Sequence, residues 1–158
     1  TYRLNLHEIY GEFGGKFVDR DQVGPEHFQG WMQWAKERNM CLDFNSTSFS
    51  HPKSGNLTLS NPDKGIRDFW IEHTKRCRRI ADAMGKAQGD PSIMNIWVHD
   101  GSKDLTVEKM RYRLILKESL DEIVSDGFVT LADSNMSSFE SSASSDRELN
   151  MLFSAINA

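Results

Sequence analysis

The sequence predicts an α/β fold made of three successive βα units with parallel strands. Short apolar stretches alternate along the chain with longer segments in which apolar residues recur every three or four positions. These are the patterns of buried strands and of amphipathic helices. No short turn of the kind that joins antiparallel strands separates two predicted strands, so each strand is followed by a helix and the sheet is expected to be parallel.

The first unit is predicted to be a short strand followed by an amphipathic helix. The strand covers residues 3–10, and the glycines within residues 11–15 end it. Pro25 marks the start of the helix, because the first turn does not need the N–H that proline lacks. The apolar residues that follow lie on one helix face: Phe28, Trp31, Met32 and Ala35.

The second unit has a strand over residues 40–45 and the clearest helix of the chain. Asn61 is the predicted cap and Pro62 the first helical residue of a helix that runs to about Gly85. The basic run at residues 75–79 is interpreted as a solvated face rather than a nucleic-acid patch, since acidic residues share the helix. The predicted apolar stripe is Ile66, Phe69, Trp70, Cys77, Ile80, Ala81 and Met84.

The third unit begins with a strand over residues 92–98 and continues through a polar loop into a helix. Thr106 is the predicted cap of that helix, and Glu108 lies in its first turn, where the helix dipole favours negative charge. The apolar positions of the helix are Met110, Leu114, Leu116, Leu120 and Ile123.

Polar residues gather where the three predicted strands end. His7 and Glu8 lie near the end of the first strand, residues 43 and 45 end the second, and residues 99 and 100 follow the third. Ligand-binding groups of parallel α/β sheets lie beyond the carboxyl ends of the strands. A binding site at this edge is one interpretation; the other is that these residues cap helices and fill turns.

Composition and cysteine content narrow the class of protein. The 158 residues carry a formal net charge of -4, which argues against a nucleic-acid partner, and no apolar run is long enough to cross a membrane. Cys41 and Cys77 form no ligand motif, so they are expected to be reduced core thiols in a cytoplasmic protein. The first residues resemble no signal peptide, and without an initiator Met the chain is expected to begin inside a longer one.

Five separate blocks of sequence closely resemble L-rhamnose isomerases, in the same order and at the same spacing. The resemblance extends over residues 2–123. The blocks are LNLHEIY at residues 4–10, LDFN at 42–45, FSHP at 49–52, IRDFWIEH at 66–73 and MNIWVHDG at 94–101.

The resemblance implies a (β/α)8 TIM barrel, of which this chain would hold roughly the second to fourth strands. It also implies an isomerase that converts the aldose L-rhamnose to the ketose L-rhamnulose in rhamnose catabolism. Two divalent cations, typically Mn2+, serve that reaction, and the complete enzymes are usually homotetramers. The expected partner is therefore a small sugar, with no nucleic acid and no membrane.

The resemblance also suggests roles for residues of the predicted edge. Trp97, His7, Asp100 and Asn45 are the expected substrate-binding residues, and Asp43 and His99 are expected to orient groups around them. No catalytic residue and no metal ligand is assigned within this chain, because the family's ligands lie on later strands. The loop at residues 46–61 either folds over the site or is an ordinary surface loop.

The chain is divided into a partial barrel domain at residues 1–125 and a Ser-rich tail at residues 126–158. The tail shows no family pattern and is expected to be either disordered or out of frame. A complete barrel needs about 250 residues, so the expectation is a fragment that is inactive alone. The alternatives are a non-catalytic α/β fragment and another metal-dependent sugar isomerase on the same barrel.

Overall fold

A computed structural model describes residues 2–100 and 109–126 of the chain. Its centre is a three-stranded sheet made of β1 (Arg3–His7), β2 (Cys41–Thr47) and β3 (Met94–Trp97). The strand order is β1-β2-β3, and both pairs are parallel. This confirms the predicted α/β class and the parallel arrangement.

Each strand is followed in the chain by a helix. The helices are α1 (Gln29–Glu37), α2 (Lys64–Gln88) and α3 (Lys109–Val124). A short 3-10 turn, Pro25–Phe28, precedes α1 and contains the proline that was predicted to open the helix. The predicted cap Thr106 and the acidic Glu108 lie outside the described residues.

The predicted start of α2 is two residues too early. Asp63 caps the helix, because its carboxylate accepts hydrogen bonds from the backbone N–H groups of Gly65 and Ile66 at 2.7 and 3.3 Å. Asn61 instead accepts from the N–H of Asp63 and so belongs to the turn before the helix. At the other end Gly89 adopts a left-handed conformation with φ of 66°, which terminates α2 beyond the predicted Gly85.

The strand boundaries also differ from the prediction. β1 ends at His7, and a 3-10 turn, Glu8–Tyr10, replaces its predicted last residues. β2 continues to Thr47, because its last residues still pair with β3. Asp43 therefore lies in the amino-terminal half of β2 and does not end the strand, as the sequence had suggested.

The two sides of the sheet differ in chemical character. Alternate side chains of a strand point to opposite sides, and Leu6, Leu42 and Phe44 join one buried cluster with residues of α2, namely Cys77, Ile80, Ala81 and Met84. The other side, which we call the open face, carries His7, Asn45, Asn95 and Trp97. Within the described residues no helix covers it, and Trp97 is 49% exposed.

The two cysteines confirm the sequence prediction of free core thiols. Cys41 and Cys77 are both buried and unbridged. Cys77 is fully enclosed by the cluster between β2 and α2, and this burial raises the pKa of its thiol well above the ordinary value.

The basic run of α2 docks α3 and is not simply a solvated face. Lys75 lies 3.0 Å from the carboxylate of Glu122, and Arg79 donates to Asp126 at 2.8 Å. Arg78 donates to the carbonyl oxygen of Ile123. The apolar side of α3 is narrower than predicted: Leu116 and Ile123 are buried and Leu120 packs against them. The remaining predicted apolar positions, Met110 and Leu114, are 64% and 54% exposed.

One arginine ties the amino ends of the strands together. The guanidinium of Arg3 donates to both carboxylate oxygens of Asp43, at 2.8 and 2.7 Å, and to Asp90 at 2.6 Å. The backbone N–H of Ile93 donates to the same Asp43 carboxylate at 2.7 Å. Burial works to raise the pKa of Asp43, but the hydrogen bonds from Arg3 and Ile93 outweigh it and hold that pKa below the usual value.

Replacing Asp43 with Asn should lower the free energy of unfolding by about 2 kcal/mol at pH 7, since a hydrogen bond to a charged group contributes about 1.5–3 kcal/mol. Because the folded-state pKa is depressed, the contribution is complete above the ordinary Asp pKa, about 4, and is lost as the pH falls through the folded value. Urea unfolding between pH 3 and pH 7 measures this.

The matched control is Asp121→Asn on α3, whose carboxylate is 61% exposed and pairs with Lys117 one helical turn away. An exposed pair of this kind contributes less than about 1 kcal/mol. Equal losses in the two variants, or a loss in Asp43→Asn that does not change with pH, would show that Asp43 does not tie the strands together.

Candidate functional site

A row of three polar side chains crosses the open face near the carboxyl ends of the strands. The strand register places His7 opposite Asn45, and Asn45 opposite Asn95. Asn45 Nδ2 lies 3.0 Å from His7 Nε2, and Asn95 Nδ2 donates to Asn45 Oδ1 at 2.9 Å. We call these three residues the polar row. The structure thus brings together two residues that the sequence singled out, His7 and Asn45, and adds a third, Asn95.

Aromatic rings stand beside the polar row. The ring centroids of Tyr10 and Trp97 lie 6.0 and 6.1 Å from that of His7, and both meet the imidazole edge to face. Phe49 lies 6.2 Å from Trp97 and continues the aromatic surface. We call Tyr10, Phe49 and Trp97 the aromatic wall. All three rings are at least 40% exposed, so the wall is open to a ligand.

Asp100, a predicted substrate-binding residue, has a different position from the one expected. Its carboxylate accepts four hydrogen bonds of 2.6–2.8 Å, from the backbone N–H and the hydroxyl of both Thr58 and Ser60. A carboxylate offers about four lone-pair sites, so none is left for a sugar hydroxyl. In this structure Asp100 anchors the loop between β2 and α2 to the end of β3.

That loop is packed against the protein along much of its length. Ser54 donates to the carbonyl of Ser48 at 2.8 Å, and both side chains are buried. His51 lies 3.0 Å from Asp19 and stacks on Phe69 with ring centroids 5.0 Å apart. The loop carries Phe49 of the aromatic wall, so its anchors also fix part of the candidate site.

His99 and Asp43, the two predicted orienting residues, do not touch the polar row through any hydrogen bond of the described residues. His99 Nε2 lies 3.1 Å from the carbonyl oxygen of Gly55, and its ring lies 6.5 Å from Phe49. His99 therefore borders the loop. Asp43 is held by Arg3 and Ile93 toward the amino end of the sheet, as described above, because those partners satisfy its charge there.

A buried charged cluster joins the ends of β1 and β2, and the sequence did not predict it. Glu8 is only 2% exposed; its carboxylate accepts hydrogen bonds from the N–H and hydroxyl of Thr47 and lies 3.5 Å from Arg20. Arg20 also donates to the carbonyl of Thr47 at 2.8 Å. Because the carboxylate and guanidinium neutralise each other, the cluster fixes both strand ends without leaving an unpaired buried charge.

His73 completes this cluster from α2. It is fully buried, with Nδ1 3.1 Å from the carbonyl of Arg20 and Nε2 3.2 Å from that of Thr47. Burial lowers the pKa of His73, against the attraction of Glu8. One sequence signal could have found it, since His73 stands four residues before Cys77 on the apolar stripe of α2.

No metal site is formed by the residues in the described part of the chain. Nowhere in residues 2–100 and 109–126 do three His, Cys, Asp or Glu side chains come close enough to share a cation. The acidic groups near the site are already occupied: Glu8 by Arg20 and Thr47, and Asp100 by Thr58 and Ser60. The donor set therefore does not fit the cations that the resemblance implies.

The fold and the candidate site together define an α/β protein whose polar row and aromatic wall lie near the carboxyl ends of parallel strands. Residues 1–143 match the family model described as L-rhamnose isomerase (RhaA). The chain belongs to the L-rhamnose isomerase family. The match continues past residue 123, where the resemblance was expected to stop, and so includes part of the Ser-rich segment.

Several relatives carry the same name. The chain is 71% identical over 133 residues to an L-rhamnose isomerase of Bacteroides thetaiotaomicron, which covers 84% of this chain and 32% of that protein. An L-rhamnose isomerase of Mannheimia succiniciproducens is 56% identical over 78% of this chain, and one of Salmonella paratyphi B is 52% identical over 80% of it. The matched segment spans about a third of the length of these relatives.

None of the helices in the described segments is both long enough and apolar enough to span a membrane.

Replacing Asp100 with Asn should loosen the loop while the sheet stays intact. The amide of Asn keeps one acceptor oxygen, but its NH2 group replaces the oxygen that accepts hydrogen bonds from Thr58 or Ser60. Backbone amide exchange at Thr58 and Ser60 should therefore become roughly tenfold faster or more. Exchange at Leu42 and Phe44, in the centre of the sheet, should not change. Hydrogen-exchange mass spectrometry or NMR at residue resolution measures both.

Asp63→Asn serves as the control, because Asn is as good a helix cap as Asp and the substitution removes the same charge near the same loop. It should leave exchange at Thr58 and Ser60 unaltered. Equal exchange rates in the Asp100→Asn variant and the parent chain would mean that Asp100 is not the loop anchor.

Proposed function

We propose that this chain supplies part of the sugar-binding side of an L-rhamnose isomerase. The reaction is the conversion of an aldose, L-rhamnose, to the ketose L-rhamnulose. The family match over residues 1–143 and the names of the relatives support this proposal. The observation that carries it is the polar row with the aromatic wall beside it on the open face of the sheet.

The chemistry of that face suits a deoxy sugar. An imidazole group, such as that of His7, exchanges hydrogen bonds with hydroxyls. Exposed aromatic rings, such as that of Trp97, offer a flat apolar surface to the carbon-bound hydrogens of a sugar ring and to the methyl group of rhamnose. In this proposal His7 and Trp97 contact the sugar, while Asp100 and His99 act through the loop that carries Phe49.

The sheet also suits a segment of a (β/α)8 barrel. Its strands are parallel, helices cover one side, and the polar open face would point to the barrel interior, where the active-site groups of such enzymes gather at the carboxyl ends of the strands. The relatives are about three times as long as the matched segment, which is consistent with the remaining strands being supplied elsewhere in a family-length chain.

The cations that the resemblance implies would have to be held by residues outside those described. We propose Mn2+ as the ion. No step of the reaction is assigned to Glu8, Asp43 or Asp100, because their oxygens are taken by other partners.

The two buried free thiols favour a cytoplasmic setting. A second hypothesis is that the 158-residue chain by itself is non-catalytic, and it is supported by the absence of a cation site among the described residues.

A segment exchange tests the proposed function. The matched 133 residues of this chain replace their counterpart in the Bacteroides thetaiotaomicron relative. The chimera should form L-rhamnulose from L-rhamnose in the presence of Mn2+, and the isolated 158-residue chain should form none. Formation of ketose from L-rhamnose is followed by a colorimetric or chromatographic assay. A folded chimera that lacks this activity would contradict the proposal, and activity on a different aldose alone would favour another sugar isomerase.

Single substitutions in the chimera locate the sugar. His7→Ala and Trp97→Ala should each lower kcat/KM by about tenfold or more, because a lost contact worth about 1.4 kcal/mol changes a rate by a factor of ten. Phe17→Ala is the control, since Phe17 is an aromatic residue that is 87% exposed and belongs to neither the polar row nor the aromatic wall. Losses of equal size in all three variants would argue against a sugar site at the open face.

A further inference from the structure

The hydrogen bonds of the polar row form a directional chain. Asn95 Nδ2 donates to Asn45 Oδ1 at 2.9 Å. The other end of the same amide, Asn45 Nδ2, lies 3.0 Å from His7 Nε2. An amide nitrogen only donates, so His7 Nε2 must be the acceptor. The orientation of Asn45 is therefore linked at one end to Asn95 and at the other to His7.

This series of hydrogen bonds determines which nitrogen of His7 carries the proton. A neutral imidazole has one N–H and one acceptor nitrogen. Since Nε2 accepts from Asn45, the proton resides on Nδ1. Within the described residues no hydrogen bond involves Nδ1, so this N–H is available to a ligand. The edge-to-face contacts with Tyr10 and Trp97 restrict rotation of the ring.

We propose that Asn45 and Asn95 are positioning residues that hold His7 in the Nδ1–H tautomer and so present a hydrogen-bond donor to an oxygen of the sugar. Asn45 is only 5% exposed and acts through His7, whereas Asn95 is exposed and orients Asn45. The sugar as acceptor rests on the proposed function. The tautomer and its control by Asn95 do not depend on it.

The hydrogen bonds of the polar row predict that Asn95→Asp changes the tautomer of His7. A carboxylate cannot donate to Asn45 Oδ1, but it accepts from Asn45 Nδ2. The Asn45 amide should therefore turn over and place its oxygen against His7 Nε2. His7 must then carry its proton on Nε2, so a change two residues away in the row switches the tautomer. Because Asn95 is exposed, the substitution should leave the fold intact.

The measurement is a long-range 1H–15N correlation spectrum of the 158-residue chain at pH 8, where an ordinary imidazole is neutral. Signals of His7 are identified by their loss in His7→Gln. The parent chain should show a protonated Nδ1 and an unprotonated Nε2. In Asn95→Asp the two nitrogen signals should exchange their chemical-shift ranges.

Asn5→Asp is the matched control. Asn5 lies on the open face of β1, two residues before His7, so the substitution adds the same charge to the same face of the sheet but outside the polar row. It should leave the parent tautomer in place. Asn45→Asp is a second switching variant, because an acceptor placed beside Nε2 also requires a proton there.

Three outcomes would overturn the proposal: a parent chain with the proton on Nε2, an Asn95→Asp spectrum like that of the parent, or the same switch in Asn5→Asp. None of these outcomes depends on sugar or metal, so they are distinguishable from a failure of the proposed function. If the chimera is inactive but the tautomer switches as expected, the positioning role of Asn45 and Asn95 is supported and only the sugar as the ligand is contradicted.

Discussion

The register of the parallel sheet is the constraint on which the rest of the structure depends. Because side chains alternate along a strand and neighbouring strands are aligned residue by residue, one register places His7, Asn45 and Asn95 side by side. The same register turns Leu6, Leu42 and Phe44 toward α2. A slip of one residue would bury the polar row and expose the core, so the apolar packing and the candidate site stabilise the same alignment.

In the described part of the chain, charged groups secure this register at both ends of the strands without covering the polar row and the aromatic wall. Arg3 and Asp43 join the amino ends, and the cluster of Glu8, Arg20, Thr47 and His73 joins the carboxyl ends of β1 and β2. Asp100 then anchors the loop that carries Phe49. The acidic groups around the site thus have structural partners, and the groups left to face a ligand are amide, imidazole and aromatic.

The sequence was sufficient for the order of strands and helices, because apolar periodicity is a local property. It also predicted His7 and Asn45 at one edge, since the carboxyl ends of parallel strands meet there. The roles of Asp43 and Asp100 could not be read in this way. Their partners Arg3, Thr58 and Ser60 stand 40 or more residues away. The buried Glu8 cluster and the docking of α3 on the basic run depend on similarly distant contacts.

A crystal structure of the chimera with L-rhamnose tests most directly whether the open face binds the sugar. We expect a sugar oxygen within about 2.7–3.2 Å of His7 Nδ1 and the carbon face or methyl group of the sugar against Trp97. A sugar bound away from the polar row, with protein side chains filling the space above His7 and Trp97, would contradict it.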